Sequence, residues 1–251
     1  MIEKTLQTGS LAALFAIIEQ LPGAQGHLFR GHGDATWHLV PNLYRLIANI
    51  HAGSVAKNYD HFEAELINRF FQEGLPYLPA ISRSYSNDRA LAQHFGVPTR
   101  LLDWSEDPLV ATFFAVEEWD TGTDAAVFMI LPETRFRPED VKSFNSLQSI
   151  AFRPPAIDRR IPAQRSMFTF HPHEPEDQPF VPLERRTNIG SQVANSGSVV
   201  RGFAKIVIPQ SLKRTLFGRL SQIGIDRRNL FPGLDGVGAD TAARARAGLW
   251  M

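Results

Sequence analysis

Four residues that could do chemistry occur close together inside an otherwise apolar stretch of this chain. Residues 91–116 have the sequence LAQHFGVPTRLLDWSEDPLVATFFAV, which contains His94, Arg100, Asp103 and Trp104. An imidazole can transfer protons near neutral pH, a guanidinium can bind a phosphate through its planar fork, and a carboxylate can stabilise developing positive charge. This stretch is therefore the first candidate for a binding or catalytic site.

Two further polar positions could join it. Arg30 is followed by Gly31 and, after one residue, by Gly33. Glycine lets a backbone approach a ligand closely, and an arginine beside it suits a phosphate. We therefore predict that Arg30 and Gly31 bind a ligand. Gln164, in the later segment RRIPAQRSMF, is a neutral group that could orient a hydroxyl.

The sequence around the first stretch predicts a helix, a short strand and a second helix. Gly96 is typical of a helix C-terminus, and Pro98 favours extended backbone before the strand TRLLDW at 99–104. The second helix follows at once, and the side-chain oxygens of Asp103, Ser105, Glu106 and Asp107 at its start can cap its free N–H groups. The candidate residues therefore lie at the rim of a core element.

The rest of the chain predicts both kinds of element without a regular repeat. Helices are expected at 8–20, at 59–74 with Phe62, Leu66, Phe70 and Phe71 on one face, and at 210–224; strands are expected in HLFRG, AAVFMIL, KIVIP and RRIPAQRSMFTF. Residues 135–195 are rich in Pro, Arg and His and are expected to be partly irregular, with HPHEPEDQP as a loop. NLFPGLDGVGADT is expected to be a turn-rich closure. The pattern indicates a single compact α+β domain, with a mixed or antiparallel split sheet and flanking helices.

Composition excludes several classes of protein. The 251 residues are 43% hydrophobic and carry 26 basic and 26 acidic side chains, so no net charge favours a polyanionic partner. Without cysteine there is no disulfide, no Cys-ligated zinc and no thiol nucleophile. The N-terminus resembles an amphipathic helix, and no segment has the ~20 apolar residues of a membrane span. We expect a cytoplasmic protein without a membrane partner.

Motifs of common nucleotide enzymes and hydrolases are missing from the chain. It has no P-loop, no strand followed by GxGxxG and no GxSxG. The pairs His32 with His38 and His171 with His173 lack the spacing and carboxylate partner of a metal motif, so we predict no metal site.

Taken together, the motifs resemble the FRG-domain family. The central stretch is similar to the family pattern AQH-[YF]-G-[LV]-PTRLLDWT-x-x-PLVA-x-[YF]-FA, and the naming motif occurs here at residues 29–31. HGDATWHLVPNLYR, RRIPAQRSMF and the segment from FAKIV to PGLDG, at 203–236, agree as well. Ser166 departs from the pattern, which has a glycine there. The resemblance implies one FRG domain over residues 1–251, with motifs across about 20–240.

The order of these motifs is in turn similar to that of ADP-ribosyltransferase-like domains, which bind NAD in a split β-fold. By that analogy Arg30 and Gly31 would hold the cofactor, with Arg100 as a second phosphate ligand. Trp104 and Ser105 would line the nicotinamide pocket. The catalytic positions would be taken by Asp103 as the anionic group, Gln164 as the late polar residue and His94 as an acid or base.

The resemblance leaves two classes of function open. One is an NAD-binding or NAD-consuming enzyme acting as a prokaryotic intracellular toxin or phage-defence effector, with a protein or nucleic acid as the acceptor. The other is a non-catalytic module that binds a nucleotide or a protein. NAD would be a substrate of the enzyme and a nucleotide the ligand of either class. The neutral Gln164, where a glutamate would favour the enzyme, keeps both alternatives open.

Each candidate residue also has a structural interpretation. Arg100 and Asp103 could pair with one another or with a neighbouring loop, and Arg30 could bind a backbone carbonyl. The indole of Trp37 is expected to be a core aromatic. His94 could cap carbonyl groups at a helix end, and Asp103 could be only a helix N-cap. Asp235 could reach the site or bond to its own backbone.

Overall fold

The described strands form one sheet, and their order in the sheet differs from their order along the chain. The computed structural model describes residues 1–21, 26–49, 59–78, 83–132, 135–136, 150–171, 180–185 and 200–249. The described strands are β1 Ile2–Thr5, β2 Leu28–His32, β3 Leu101–Ser105, β4 Ala125–Pro132, β5 Arg135–Phe136, β6 Ile150–Phe152, β7 Ser166–Phe170 and β8 Val200–Ile208. The described helices are α1 Leu11–Glu19, α2 Asn42–Asn49, α3 Tyr59–Gly74, α4 Tyr85–His94, α5 Pro108–Val116, α6 Arg160–Ala163, α7 Gln210–Gln222, α8 Arg227–Leu230 and α9 Leu234–Ala247.

The eight described strands form one mixed sheet in the order β1-β8-β4-β2-β3-β7-β6-β5. The outer pairs β1–β8 and β5–β6 are parallel, and the pairs between them are antiparallel. Segments from both halves of the chain therefore share one sheet. This confirms the predicted α+β class and the mixed sheet with helices beside it.

The sheet is nearly divided between β2 and β3. β2 pairs with β4 at five positions from Leu28 to His32, but it pairs with β3 at one position, Phe29 with Ser105. On its other side β3 is fully paired with β7. The two central strands therefore diverge from Phe29 and Ser105 onward, and a cleft opens in the sheet.

Helix α5 packs on β2 at closest range. A Cβ atom placed on Gly31 would lie 2.0 Å from the carbonyl oxygen of Ala111 and 2.6 Å from the backbone nitrogen of Ala115. Gly31 thus faces the helix, and its missing side chain permits the contact between strand and helix. Phe29 on the same face joins a core with Val110.

Most predicted elements are present. The N-terminus, expected to resemble an amphipathic helix, forms strand β1 before helix α1, and two predictions in the second half of the chain are wrong. RRIPAQRSMFTF is a strand only from Ser166; Arg160–Ala163 is the short helix α6, and Arg165 turns the chain with φ 48°. NLFPGLDGVGADT was expected to be a turn-rich closure, yet from Leu234 it is part of the 14-residue helix α9. Its buried Gly236 lies so close to the Phe231 carbonyl that a Cβ would be 1.9 Å away.

Two side-chain expectations are also corrected, and the capping residue is identified among its candidates. The buried face of α3 contains Glu63, Ile67 and Phe71, shifted from the predicted apolar face because an ionised side chain lies in it. Trp37, expected in the core, is 53% exposed. The N-cap of α5 is Asp107, whose side chain accepts from the backbone of Leu109 at 2.9 Å.

Several expectations fall outside the described residues. The loop HPHEPEDQP, apart from its first residue, and most of the irregular region between 137 and 199 are among these. Within the described residues, no helix combines the length and the apolar character that crossing a membrane requires.

Candidate functional site

A cavity of about 420 Å³ occupies the cleft between β2 and β3. A volume of this size lies within the usual range for small-molecule sites, roughly 300–1,000 Å³. Its described lining comes from six parts of the chain: Phe29 to His32 on β2 with Gly33 directly after it; Trp37, His38, Val40 and Arg45; Asp103 to Ser105 on β3; Ala111, Phe114, Glu117 and Glu118 on and after α5; Gln164 and Ser166; and Phe231. Strand divergence and the two C-terminal motif blocks together therefore form the cavity.

Arg30 bridges the cleft. Its Nη1 donates to the backbone carbonyl of Asp103 at 2.7 Å and lies 3.5 Å from the Asp103 Oδ2 atom. The guanidinium thus satisfies a strand carbonyl that a continuous β2–β3 ladder could have engaged. Burial lowers the pKa of Arg30, and the charge of Asp103 partly offsets this effect. A cation that is mostly covered by protein consequently stands at the cavity wall.

The Asp103 carboxylate is the exposed partner. Its side chain is 59% exposed, against 18% for Arg30. Oδ1 accepts from Gln93 Nε2 at 2.7 Å, and the Gln93 Oε1 in turn accepts from the Thr99 hydroxyl. Gln93 therefore fixes one carboxylate oxygen of Asp103. The other oxygen, Oδ2, lies 3.5 Å from Arg30 Nη1 on an exposed side chain, so a ligand can also contact it.

His32 holds Arg30 in this position. The Nε atom of Arg30 donates to His32 Nε2 at 3.0 Å, and His32 Nδ1 lies 3.3 Å from the Trp37 carbonyl oxygen. These bonds require a proton on Nδ1 and none on Nε2. Burial and the adjacent Arg30 charge lower the pKa of His32 to about 3. The ring is therefore neutral at physiological pH and acts as an acceptor for the guanidinium.

Ser105 and Gln164 meet at the paired end of the cleft. Ser105 Oγ donates to the Gln164 carbonyl oxygen at 2.7 Å and accepts from the backbone N–H of Asp107 at 3.0 Å. Gln164 Nε2 donates to the Leu230 carbonyl oxygen at 3.0 Å. The Ser105 hydroxyl and the Gln164 amide nitrogen thus connect β3, α6 and α8, and they shape the wall of the cavity.

Trp104 is at the cavity wall but mostly belongs to the core. It is 3% exposed, and its Nε1 donates to Thr169 Oγ1 at 2.7 Å. The Thr169 hydroxyl lies 2.8 Å from the Nε2 atom of the buried His171. The indole N–H is therefore satisfied within the protein, and Trp104 can offer a ligand only a small part of its surface.

Arg100 and His94 are not among the described residues that line the cavity. Arg100 is fully buried, and its backbone N–H, Nε and Nη2 all donate to Glu63. Burial disfavours its charge, but Glu63 and other neighbours outweigh this effect and raise the pKa of Arg100. His94 Nε2 lies 3.3 Å from Asp158 Oδ2. The pairing of Arg100 with Asp103 is thus wrong, although Arg100 is in a buried ion pair as that interpretation required.

Sequence reasoning missed several residues of the lining. Glu117 and Glu118, directly after α5, add an acidic side to the cavity. Burial raises the pKa of Glu117, and its ion pair with Arg227 partly opposes this rise. Trp37 and Arg45 also line the cavity. The two adjacent glutamates at the end of an apolar helix were a usable sequence signal, whereas the exposure of Trp37 was not.

The remaining site predictions concern metals and Asp235. Among the described residues, no group of three or more His, Asp or Glu side chains is arranged to hold a metal ion. Asp235 lies outside the lining and accepts from Arg160 Nη2 at 2.8 Å. This bond joins α6 to the start of α9 at the side of Phe231, which does line the cavity.

The fold and this cavity define an α+β domain with a ligand-sized cleft in its sheet. Residues 25–123 match the family model of the FRG domain, the family that the motifs of the sequence resemble. The match includes Arg30, Asp103 and Glu117 but ends before Gln164 and Phe231. No curated protein and no solved structure matches the chain.

Proposed function

We propose that the cleft between β2 and β3 binds NAD or ADP-ribose, and that the protein consumes NAD as an enzyme of the ADP-ribosyltransferase type. The observation that carries this proposal is the arrangement of Arg30 and Asp103 at one cavity. A largely covered guanidinium suits a phosphate, and an exposed carboxylate beside it suits a ribose that becomes cationic. The divided sheet agrees with the split β-fold that the motif order suggests.

The reaction needs a fixed negative charge more than it needs an acid. When the bond between nicotinamide and ribose breaks, its electron pair leaves on the nicotinamide nitrogen, and the ribose carbon becomes oxocarbenium-like. The carboxylate of Asp103, fixed by Gln93, stabilises that charge. Water or an acceptor hydroxyl then bonds to the ribose carbon and releases its proton to solvent. His94 is not required in this scheme.

Gln164 has a supporting role in this proposal. Its Nε2 donates to the Leu230 carbonyl oxygen, so its side-chain oxygen is the group that can accept a hydrogen bond from a ribose hydroxyl. Depletion of NAD by such an enzyme would produce the toxin or phage-defence role that the family resemblance suggests. A protein or nucleic-acid acceptor would instead make the product an ADP-ribosylated macromolecule.

The second candidate is a non-catalytic nucleotide-binding module. The hydrogen bonds of Ser105 and Gln164 within the protein favour it, because these side chains then serve the wall of the cavity. In this case ADP-ribose binds but NAD is not cleaved. A module that binds protein alone leaves a cavity of this volume without a role.

The test measures nicotinamide release from NAD and ADP-ribose affinity in the same preparations. Asp103→Asn removes the charge and keeps the shape, so we expect nicotinamide release to fall by about 10²-fold or more, while ADP-ribose affinity stays within about ten-fold. Asp88→Asn is the matched control, because Asp88 also pairs with an arginine, Arg83, but lies outside the lining. It should retain wild-type turnover.

Each other outcome has a definite meaning. Unchanged turnover in Asp103→Asn eliminates Asp103 as the anionic group. ADP-ribose binding without nicotinamide release in the wild-type protein identifies the non-catalytic module. If the wild-type protein binds neither NAD nor ADP-ribose, the proposed function is wrong.

A further inference from the structure

Trp37 presents its indole at the cavity. It is 53% exposed and belongs to the described lining. Tryptophan is usually buried to a large extent, so an exposed indole at a ligand-sized cavity needs an explanation. Its ring centroid lies 6.3 Å from that of His32, the residue that holds Arg30. The indole is thus next to the cationic wall.

The backbone around Trp37 is held firmly although the indole is exposed. The Trp37 N–H donates to the Asp34 carbonyl oxygen at 3.2 Å, and the Trp37 carbonyl oxygen is bound by His32. The Asp34 side chain accepts from both the N–H and the hydroxyl of Thr36, at 2.8 and 2.7 Å. A fixed backbone that carries a solvent-exposed aromatic ring is suited to binding, because little order has to be gained when a ligand arrives.

A buried ammonium secures the base of this segment. Lys213 is fully buried, and its Nζ donates to Thr121 Oγ1 at 2.6 Å, to the Gly33 carbonyl oxygen at 3.2 Å and to the Thr123 carbonyl oxygen at 3.3 Å. The turn that follows β2 is therefore joined to the loop before β4. Burial lowers the pKa of Lys213, so these three acceptors have to compensate for its lost hydration.

Arg45 adds a second cation to the same side of the cavity. It is exposed on α2 and lines the cavity together with Arg30. Its positive charge lowers the pKa of both Arg30 and His32, after the larger effect of burial, and this indicates that it lies near both. Two neighbouring guanidiniums repel each other, and a bound anion removes that repulsion.

We propose that Trp37 stacks on the base of the bound nucleotide, and that Arg45 binds its phosphates together with Arg30. This inference rests on the proposed function, and it defines the ligand class more narrowly as a base joined to a diphosphate. Every nucleobase has a flat face that can stack on an aromatic side chain, whichever polar groups lie on its edge. The planar guanidinium of arginine can bind two phosphate oxygens at once. A sugar phosphate without a base engages the arginines alone.

The test is calorimetric titration with ADP-ribose at several salt concentrations. Stacking on one aromatic residue is worth about 1–3 kcal/mol per base, so Trp37→Ala should weaken binding by roughly 5- to 150-fold. Trp37→Phe, which keeps a flat ring, should recover most of this loss. Tyr77→Ala is the control, because Tyr77 is 87% exposed and lies outside the lining. It should bind ADP-ribose as the wild-type protein does.

Salt dependence separates Arg45 from Trp37. Arg45→Gln should weaken binding and flatten its dependence on salt, since one ionic contact is lost. Trp37→Ala should keep the wild-type salt dependence. Wild-type affinity for ADP-ribose in Trp37→Ala or in Arg45→Gln overturns this inference and leaves the proposed function intact. Absence of ADP-ribose binding in the wild-type protein overturns both.

Discussion

Arg100 and Asp103 lie three residues apart, and each belongs to an arginine–carboxylate pair. The surroundings of the two pairs differ. Arg100 and Glu63 are both fully buried, with Nη2 2.9 Å from the Glu63 Oε2 atom. Arg30 and Asp103 are 18% and 59% exposed and 3.5 Å apart. Glu63 also binds a second arginine, Arg89, whose Nε donates to it at 2.8 Å. The second pair opens to a cavity.

The difference shows which charges maintain the fold and which can bind a ligand. A buried carboxylate shared by two arginines has its hydrogen-bonding capacity used within the protein, and breaking such a cluster leaves uncompensated charge. A partly exposed pair contributes little to stability, but its charges remain accessible. Arg100 was predicted as a phosphate ligand; it is buried against Glu63 and is not among the described residues that line the cavity.

The largest effect is expected from neutralising the buried cluster. Glu63→Gln keeps the shape but leaves Arg89 and Arg100 without their shared anion, so the free energy of unfolding should fall by about 3–5 kcal/mol. Urea denaturation measures this change. Glu65→Gln on the same helix is the control, because Glu65 is 64% exposed and pairs with His61 at the surface. It should change stability by about 0.5 kcal/mol or less.

A smaller loss is expected at the wall between cleft and core. Gly31→Ala places a methyl group 2.0 Å from the Ala111 carbonyl oxygen, so β2 and α5 must separate. We expect a loss of about 1–3 kcal/mol in unfolding free energy. Gly33→Ala meets nothing within 4 Å and should be close to neutral. Equal stability of the two variants would show that Gly31 is not needed for the packing of α5.

The next effect is a dependence on pH from His32. Its pKa is lowered from 6.5 to about 3, so the native state favours the neutral ring and the unfolded chain binds the proton first. Stability is therefore fully present above pH 6.5 and is lost as pH falls toward 3. His32→Gln retains an acceptor for Arg30 and removes the titration. Thermal melts between pH 7 and 5 should decline less in this variant than in wild type, and parallel declines would contradict the assignment.

The smallest effect on stability is expected at the cleft pair itself. Asp103→Asn removes the charge from a carboxylate that is 59% exposed, so unfolding free energy should change by less than about 1 kcal/mol. The same urea series used for Glu63→Gln provides the comparison. A loss as large as that of Glu63→Gln would mean that the cleft pair maintains the fold, and the contrast between the two pairs would then fail.

Local patterns in the sequence were sufficient for the elements around the cleft. The helix Tyr59–Gly74 has the predicted bounds, and the strand Leu101–Ser105 followed by a helix with Pro108 in its first turn agrees with the capping and proline signals. These signals depend on residues only a few positions apart, so they can be recognised in a single sequence. Arg30 and Asp103, both selected from the sequence as candidate site residues, are joined by a hydrogen bond across the cleft.

Contacts between distant segments could not be predicted in this way. The partner of Arg100 is Glu63, on another helix, and no local spacing indicates it. Two glycines early in α9 disfavour a helix, yet the close packing of Gly236 on Phe231 overrides that propensity. Trp37 is exposed because its segment is held by Asp34 and His32 beside a cavity, which hydrophobicity alone cannot show.

The most direct test of a nucleotide site at the cleft is a thermal-shift titration with ADP-ribose on wild-type protein and on Arg30→Gln. We expect the melting temperature of the wild type to rise with ADP-ribose concentration, because a ligand of the native state stabilises it by mass action. We expect this rise to be lost in Arg30→Gln, whose melting temperature without ligand is compared separately. No rise in the wild type, or an equal rise in both proteins, would contradict a nucleotide site at the β2–β3 cleft.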